Sequence, residues 1–145
     1  MTGQQAERDD AAGILLVEDD RVDVMTVQRA LKRHAIAHPL HVARTATDAL
    51  AMLRGDGQTK LDPLPTLILL DLNLPRMSGI DFLRELRGDP DLRDLSVIVL
   101  TSSNEPNDRA AAFRYEVEDY IVKPHSFEEF ASAVRTVITD ALGAG

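Results

Sequence analysis

TLILLDLNLPRMSG, residues 66–79, joins four uninterrupted apolar residues, Leu67 to Leu70, to a single carboxylate, Asp71. A run this short and continuous predicts a strand buried on both faces, and therefore a parallel sheet covered by helices. An acid at the C-terminal end of such a strand stands where open α/β sheets hold their ligands. Asp71 also suits the start of a turn toward Pro75, a common use of Asp. The ends of the other strands decide between these two readings.

Working outward, four more β-prone runs lie at 14–17, 40–43, 97–100 and 120–122. Between and after them the apolar spacing changes to threes and fours, which predicts helices. The first spans 21–34 and buries Val24, Val27 and Leu31; Asp20 can cap it. The second spans 45–54, capped by Thr45 or Thr47, with Ala46, Ala49, Leu50 and Leu53 inward. The third spans 79–86 with Ile80, Leu83 and Leu86 inward, and Gly88 and Pro90 end it. The fourth spans 107–115, with Pro106 in its first turn and Ala110, Ala111 and Phe113 as packing residues. The fifth begins after Ser126, with Glu129 three residues on as in a capping box. It runs to about Leu142 on a stripe of Phe127, Phe130, Val134, Val137 and Ile138. Residues 55–65 have no period and read as a surface loop.

Strand then helix, five times over, predicts a doubly wound (βα)5 α/β domain with helices on both faces of a five-stranded parallel sheet. Residues 13–142 form that domain, residues 1–12 a flexible N-terminal tail and residues 143–145 a C-terminal tail. No output domain is expected after it.

Composition removes several classes of function. The 145 residues suit one domain, and the formal net charge of -8 disfavours direct nucleic-acid binding. Trp is absent, so no indole is available for base stacking. No cysteine is present, which excludes disulfides and thiol chemistry. No apolar run approaches a membrane span, and the polar, acidic N-terminus is unlike a signal peptide. A cytoplasmic location is expected. His34, His38 and His41 follow no common metal-ligand spacing and read as surface or loop residues.

In a parallel sheet all C-terminal strand ends share one edge. The first strand delivers Glu18 and Asp19 there, the third Asp71, the fourth Thr101 and the fifth Lys123. Three carboxylates in one cleft repel one another unless a cation joins them. Oxygen ligands suit Mg²⁺, or Mn²⁺ in its place. Lys123 suits a phosphoryl oxygen and can pair with Asp71 when none is bound. Thr101 can donate to another oxygen of the same group. The chemistry this suggests is phosphoryl transfer to an aspartate. No Walker-type glycine-rich loop occurs, so the donor is expected to be a phosphorylated protein or small compound rather than a nucleotide.

The motifs VEDD (17–20), LLDLNLPRMSG (69–79), VLTSS (99–103) and YIVKP (120–124) together resemble a response-regulator receiver domain of the CheY-like kind. The resemblance implies strand order 2-1-3-4-5. It makes Asp71 the phosphoacceptor, Asp19 a direct Mg²⁺ ligand, Glu18 a ligand through water, and the Asn73 backbone carbonyl a further ligand. It also implies that Thr101 and Lys123 contact the phosphoryl group and that Tyr120 is an aromatic switch. That ring turns inward when phosphorylation draws Thr101 away. The face of the fourth helix, fifth strand and fifth helix then changes partner or dimer state. The implied donor is a phosphohistidine on a sensor histidine kinase, with Val22, Asp23 and Thr26 placed to meet the kinase helices. RGDPDLRDLSVIVLTSS (87–103) and YEVEDYIVKP (115–124) resemble the stand-alone regulators paired with bacterial and cyanobacterial phytochrome kinases. His125 departs from the commoner aromatic or aliphatic residue after that proline, and bears on the dimer face. Two other readings are a Mg²⁺-dependent aspartyl phosphatase of the haloacid-dehalogenase kind and a receiver-like binding module that is never phosphorylated. The first looks for an acid at position 73, where this chain has Asn; the intact set of five site residues argues against the second.

Overall fold

The computed structural model describes residues 12–33, 38–57 and 60–142. The tail readings for residues 1–11 and 143–145, and that for His34, lie outside these. Five strands, β1 (Ile14–Val17), β2 (Leu40–Ala43), β3 (Leu67–Leu70), β4 (Val97–Thr101) and β5 (Asp119–Val122), alternate with five helices. The helices are α1 (Arg21–Arg33), α2 (Ala46–Arg54), α3 (Gly79–Gly88), α4 (Pro106–Arg114) and α5 (Phe127–Ala141). All pairings are parallel, in the order β2-β1-β3-β4-β5. This is the doubly wound (βα)5 sheet that the strand and helix periods predict, in the flavodoxin-like order that the receiver resemblance implies.

Both faces of the sheet are dry. β1, β3 and β4 are buried at every position, which is why their sequences do not alternate. One face packs Leu15, Val17, Ile68, Leu70, Val97 and Val99 against α2, α3 and α4. The other packs Ile14, Leu16, Leu67, Leu69, Ile98 and Leu100 against α1 and α5. Successive residues of β3 therefore serve opposite cores. A one-residue slip in its register would exchange the two sets.

Helix ends obey local chemistry. Asp20 Oδ1 accepts from the amides of Val22 (2.9 Å) and Asp23 (3.2 Å) and so starts α1. Thr45, not Thr47, caps α2 by accepting from Asp48 N. Ser78 and Ser126 do the same for α3 and α5. Gly55 stops α2 in the left-handed region at φ 81°. The loop after it folds back, with Leu61 N donating to Met52 O at 2.9 Å.

Three packing expectations are corrected. In α4 the buried residue is Ala112, whereas Ala110 and Phe113 face solvent. Three consecutive alanines carry no amphipathic period, so the sequence leaves the inward face of this helix unspecified. In α3 the largest buried side chain is Phe82, with Ile80 only half-buried. Phe127 is 45% exposed although it lies on the periodic stripe. As the first residue of α5 it has no preceding turn for its side chain to lie over.

Two features set the segment that follows β3. Gly79 comes so near the strand end that a Cβ there would lie 2.6 Å from both Asp71 O and Leu72 Cα. Only glycine permits that approach. Arg87, at the far end of α3, donates to the carbonyls of Tyr115 (2.7 Å), Arg93 (2.8 Å), Leu95 (2.8 Å) and Glu116 (3.3 Å). One guanidinium thus holds the α3–β4 and α4–β5 connections together.

Candidate phosphoacceptor and metal site

The parallel register carries the ends of β1, β3, β4 and β5 to one edge. Asp71 N donates to Val17 O (3.1 Å), Glu18 N to Ala43 O (3.0 Å) and Lys123 N to Thr101 O (2.8 Å). The polar residues are therefore placed by continuation of the ladder, not by free loops. Glu18, Asp71 and Thr101 are buried, and Asp19 is exposed. One carboxylate oxygen from each of Glu18, Asp19 and Asp71 lies within 4.8 Å of the others. An all-carboxylate set with one solvent-facing member fits a hard divalent cation that keeps part of its water. Asn73 is exposed; its N–H donates to Asp71 Oδ1 at 3.2 Å, which orients the carboxylate.

Lys123 supplies the balancing charge. Its Nζ lies 2.6 Å from Glu18 Oε2, 2.7 Å from Asp23 Oδ2 and 3.2 Å from Asp71 Oδ2. The pairing with Asp71 is present, but two shorter pairings accompany it. Burial pushes the Glu18 carboxyl up to about 7, with the Asp71 charge adding to the effect and Lys123 opposing it. Burial alone would lower the Lys123 ammonium; its hydrogen bonds to Asp23 and Glu18 more than offset this and hold it above its ordinary range. The cation stays charged, and Glu18 is the acid under strain.

Asp23, expected to meet the kinase helices, is part-buried against Lys123 and so also belongs to this group, a place the sequence reading does not give it. A signal for it was present: Asp20 caps α1, so a residue three positions later lies in the first turn, beside the strand end. Thr26 is also not at the surface. It is 4% exposed, and its hydroxyl donates to Val22 O at 3.0 Å. Of the three docking residues only Val22, 69% exposed, is openly presented, and Met25 is exposed beside it.

Thr101 Oγ1 accepts from Ser103 N at 3.3 Å. Ser103 O accepts from the Tyr120 hydroxyl at 3.0 Å, and its Oγ bonds Asp108 Oδ2. The Tyr120 ring is 4% exposed, with the Arg109 guanidinium 5.4 Å from its centroid and 5.5 Å from that of Phe113. The ring expected to turn inward on phosphorylation is therefore already inside here. Its hydroxyl has a carbonyl to satisfy it there, and Arg109 covers its outer face.

A buried aspartate at a β3 end, flanked by two acids, a hydroxyl and a lysine on a 2-1-3-4-5 sheet, defines a CheY-like receiver. Residues 14–135 match the response regulator receiver domain, and the chain belongs to that family. It is closely related to phytochrome-paired regulators. Response regulator Rcp1 of Synechocystis sp. is 38% identical over 124 residues, covering 86% of this chain and 84% of Rcp1. The crystal structure of the phosphorylated cyanobacterial phytochrome response regulator RcpA superposes with a TM-score of 0.87 at 32% identity, covering 93% of this chain and 96% of that one. The Mn²⁺-bound form of Rcp1 gives 0.82 at 37% identity, covering 88% and 92%. Divalent-metal binding in general thus has support from the carboxylate cluster at this edge and from a relative crystallised in an Mn²⁺-bound form. Among the described residues no helix is long and apolar enough to cross a membrane.

Proposed function

We propose that this chain is a cytoplasmic response-regulator receiver that accepts a phosphoryl group on Asp71 from a histidine kinase phosphohistidine, with Mg²⁺ as its ion. The observation that carries this reading is one buried carboxylate with an ammonium at 3.2 Å and two further acids beside it. In transfer, an Asp71 oxygen attacks phosphorus and forms an O–P bond. The N–P bond of the phosphohistidine breaks, its electron pair stays on the imidazole nitrogen, and that nitrogen takes a proton from solvent. Lys123 and Thr101 meet the charge on the phosphoryl oxygens. When bound, the divalent cation held by Glu18, Asp19, Asp71 and the Asn73 carbonyl neutralises part of that charge. Hydrolysis returns the site to rest: water attacks phosphorus, the acyl O–P bond breaks, and phosphate leaves. The chain catalyses both steps on itself, but its use is signalling.

The kinase is proposed to be a bacteriophytochrome, on the likeness to Rcp1 and RcpA. The face of α4, β5 and α5 is proposed as the homodimer or target surface, supported by exposed Phe113 and Phe127. Incubation with acetyl phosphate and Mg²⁺ followed by intact mass spectrometry tests the chemistry. One added phosphoryl group in the wild type and none in D71N is expected. No modification of the wild type, or equal modification of D71N, refutes it.

A further inference from the structure

We propose that Asp23 is a positioning residue that shares Lys123 with Asp71 and draws the ammonium toward itself until an anion arrives; this rests on the phosphoacceptor reading of Asp71. Three observations carry it. Asp23 lies outside the carboxylate group able to share a cation, which comprises Glu18, Asp19 and Asp71. Its carboxylate nonetheless makes the second-shortest contact to Lys123, 2.7 Å against 3.2 Å for Asp71. The Lys123 side chain is only 9% exposed, so this pairing is poorly screened by water. The backbone that carries this carboxylate is also anchored, because the Asp23 amide donates to the Asp20 cap in the first turn of α1.

Asp23 therefore acts on both occupants of the site, in opposite directions. While it shares the ammonium, Lys123 spreads its charge over three carboxylates, so its hold on Glu18 (2.6 Å) and Asp71 (3.2 Å) is weaker than it would be with those two alone, and a cation displaces it more readily. When an anionic group reaches Asp71, Asp23 becomes the competitor from which Lys123 must part. Its own negative charge adds to both effects, favouring a cation and opposing an anion. Neutralising it should weaken metal binding and strengthen binding of a phosphoryl group.

The test uses the full chain and two ligands. Mg²⁺ affinity is measured by titration calorimetry. Beryllofluoride, a trifluoride that caps a carboxylate as a phosphoryl group does, is followed by its bound ¹⁹F signal at saturating Mg²⁺. D23N is expected to weaken Mg²⁺ by about three- to tenfold and to tighten beryllofluoride by a similar factor, the scale of one partly buried ion pair. D23E, which keeps the charge, should restore both toward wild type. In a K123M background the effect of D23N on Mg²⁺ should fall by at least half, because the tethered cation is gone. A purely structural role would instead lower both affinities together, and that result overturns the proposal, as do unchanged affinities in D23N. A wild type that shows no bound fluoride signal overturns the phosphoacceptor reading itself, and the proposal with it. A wild type that binds while D23N behaves identically overturns the proposal alone.

Discussion

Glu18 is a carboxylate that folding holds against its own charge, and the cost is measurable. Its folded pKa is about 7 against an ordinary 4.5, through burial first and the Asp71 charge second. Each pKa unit is about 1.36 kcal/mol, so full ionisation of this side chain costs the fold about 3 kcal/mol. The sign follows from linkage. A group whose pKa is raised on folding adds stability below its unfolded pKa, and that stability is lost as pH climbs through the folded value. For Glu18 the window lies between 4.5 and 7, and about 2 kcal/mol of the loss should fall between roughly pH 5.5 and 8. Replacing Glu18 with Gln keeps the shape and removes the titration. In EDTA, urea unfolding of the wild type should lose about 2 kcal/mol across that range, while E18Q stays nearly level. At pH 8, E18Q should melt several degrees above the wild type. The lost charge of the pairing with Lys123 works against this gain, so the slope is the better test than the absolute value. Parallel pH profiles for the two proteins would refute the account of a strained acid.

Four other outcomes follow from the same structure. Saturating Mg²⁺ at about 100 times its dissociation constant should stabilise the wild type by about 2.7 kcal/mol, and D71N should raise the metal-free melting temperature at pH 8 by removing a like charge beside Glu18; an unchanged midpoint in either case, by differential scanning calorimetry, would count against the repulsion. Arg87→Ala removes the donor shared by four backbone carbonyls and should cost about 2–3 kcal/mol in urea unfolding, with Arg87→Lys recovering only part. Gly79→Ala forces a Cβ to within 2.6 Å of the Asp71 carbonyl; it should destabilise by about 1–3 kcal/mol and also slow phosphoryl uptake from acetyl phosphate, whereas an equally destabilising change distant from Asp71 should leave that rate alone.

Much of this was legible in the order of residues because buried parallel strands and amphipathic helices have different periods. LILL at 67–70 and VIVL at 97–100 admit few other readings, and the groups that follow them are fixed by the ladder. The sequence alone therefore places Glu18, Asp71, Thr101 and Lys123 at one edge. What failed has a common cause: the information lay in orientation, not spacing. Asp23 and Thr26 sit on the same first turns of α1, and nothing in RVDVMTV says that both turn inward while Val22 turns out. AAAF in α4 offers no stripe, so Ala112 could not be chosen over its neighbours. The inward Tyr120 depends on Ser103 O and Arg109, two contacts made across 17 and 11 positions of chain. A one-dimensional period carries no trace of them.

Ser103 has a consequence for how this surface tolerates drift. It meets Thr101 through its amide, Tyr120 through its carbonyl, and Asp108 and the Glu105 amide through its hydroxyl. The first two links are main chain and survive replacement by nearly any residue; only the last two are written in the side chain. The wiring between the chemical edge and the aromatic ring is thus largely independent of amino-acid identity at this position. Neutral substitutions can accumulate there, reshaping what α4 offers a partner, without cutting the line that runs to it.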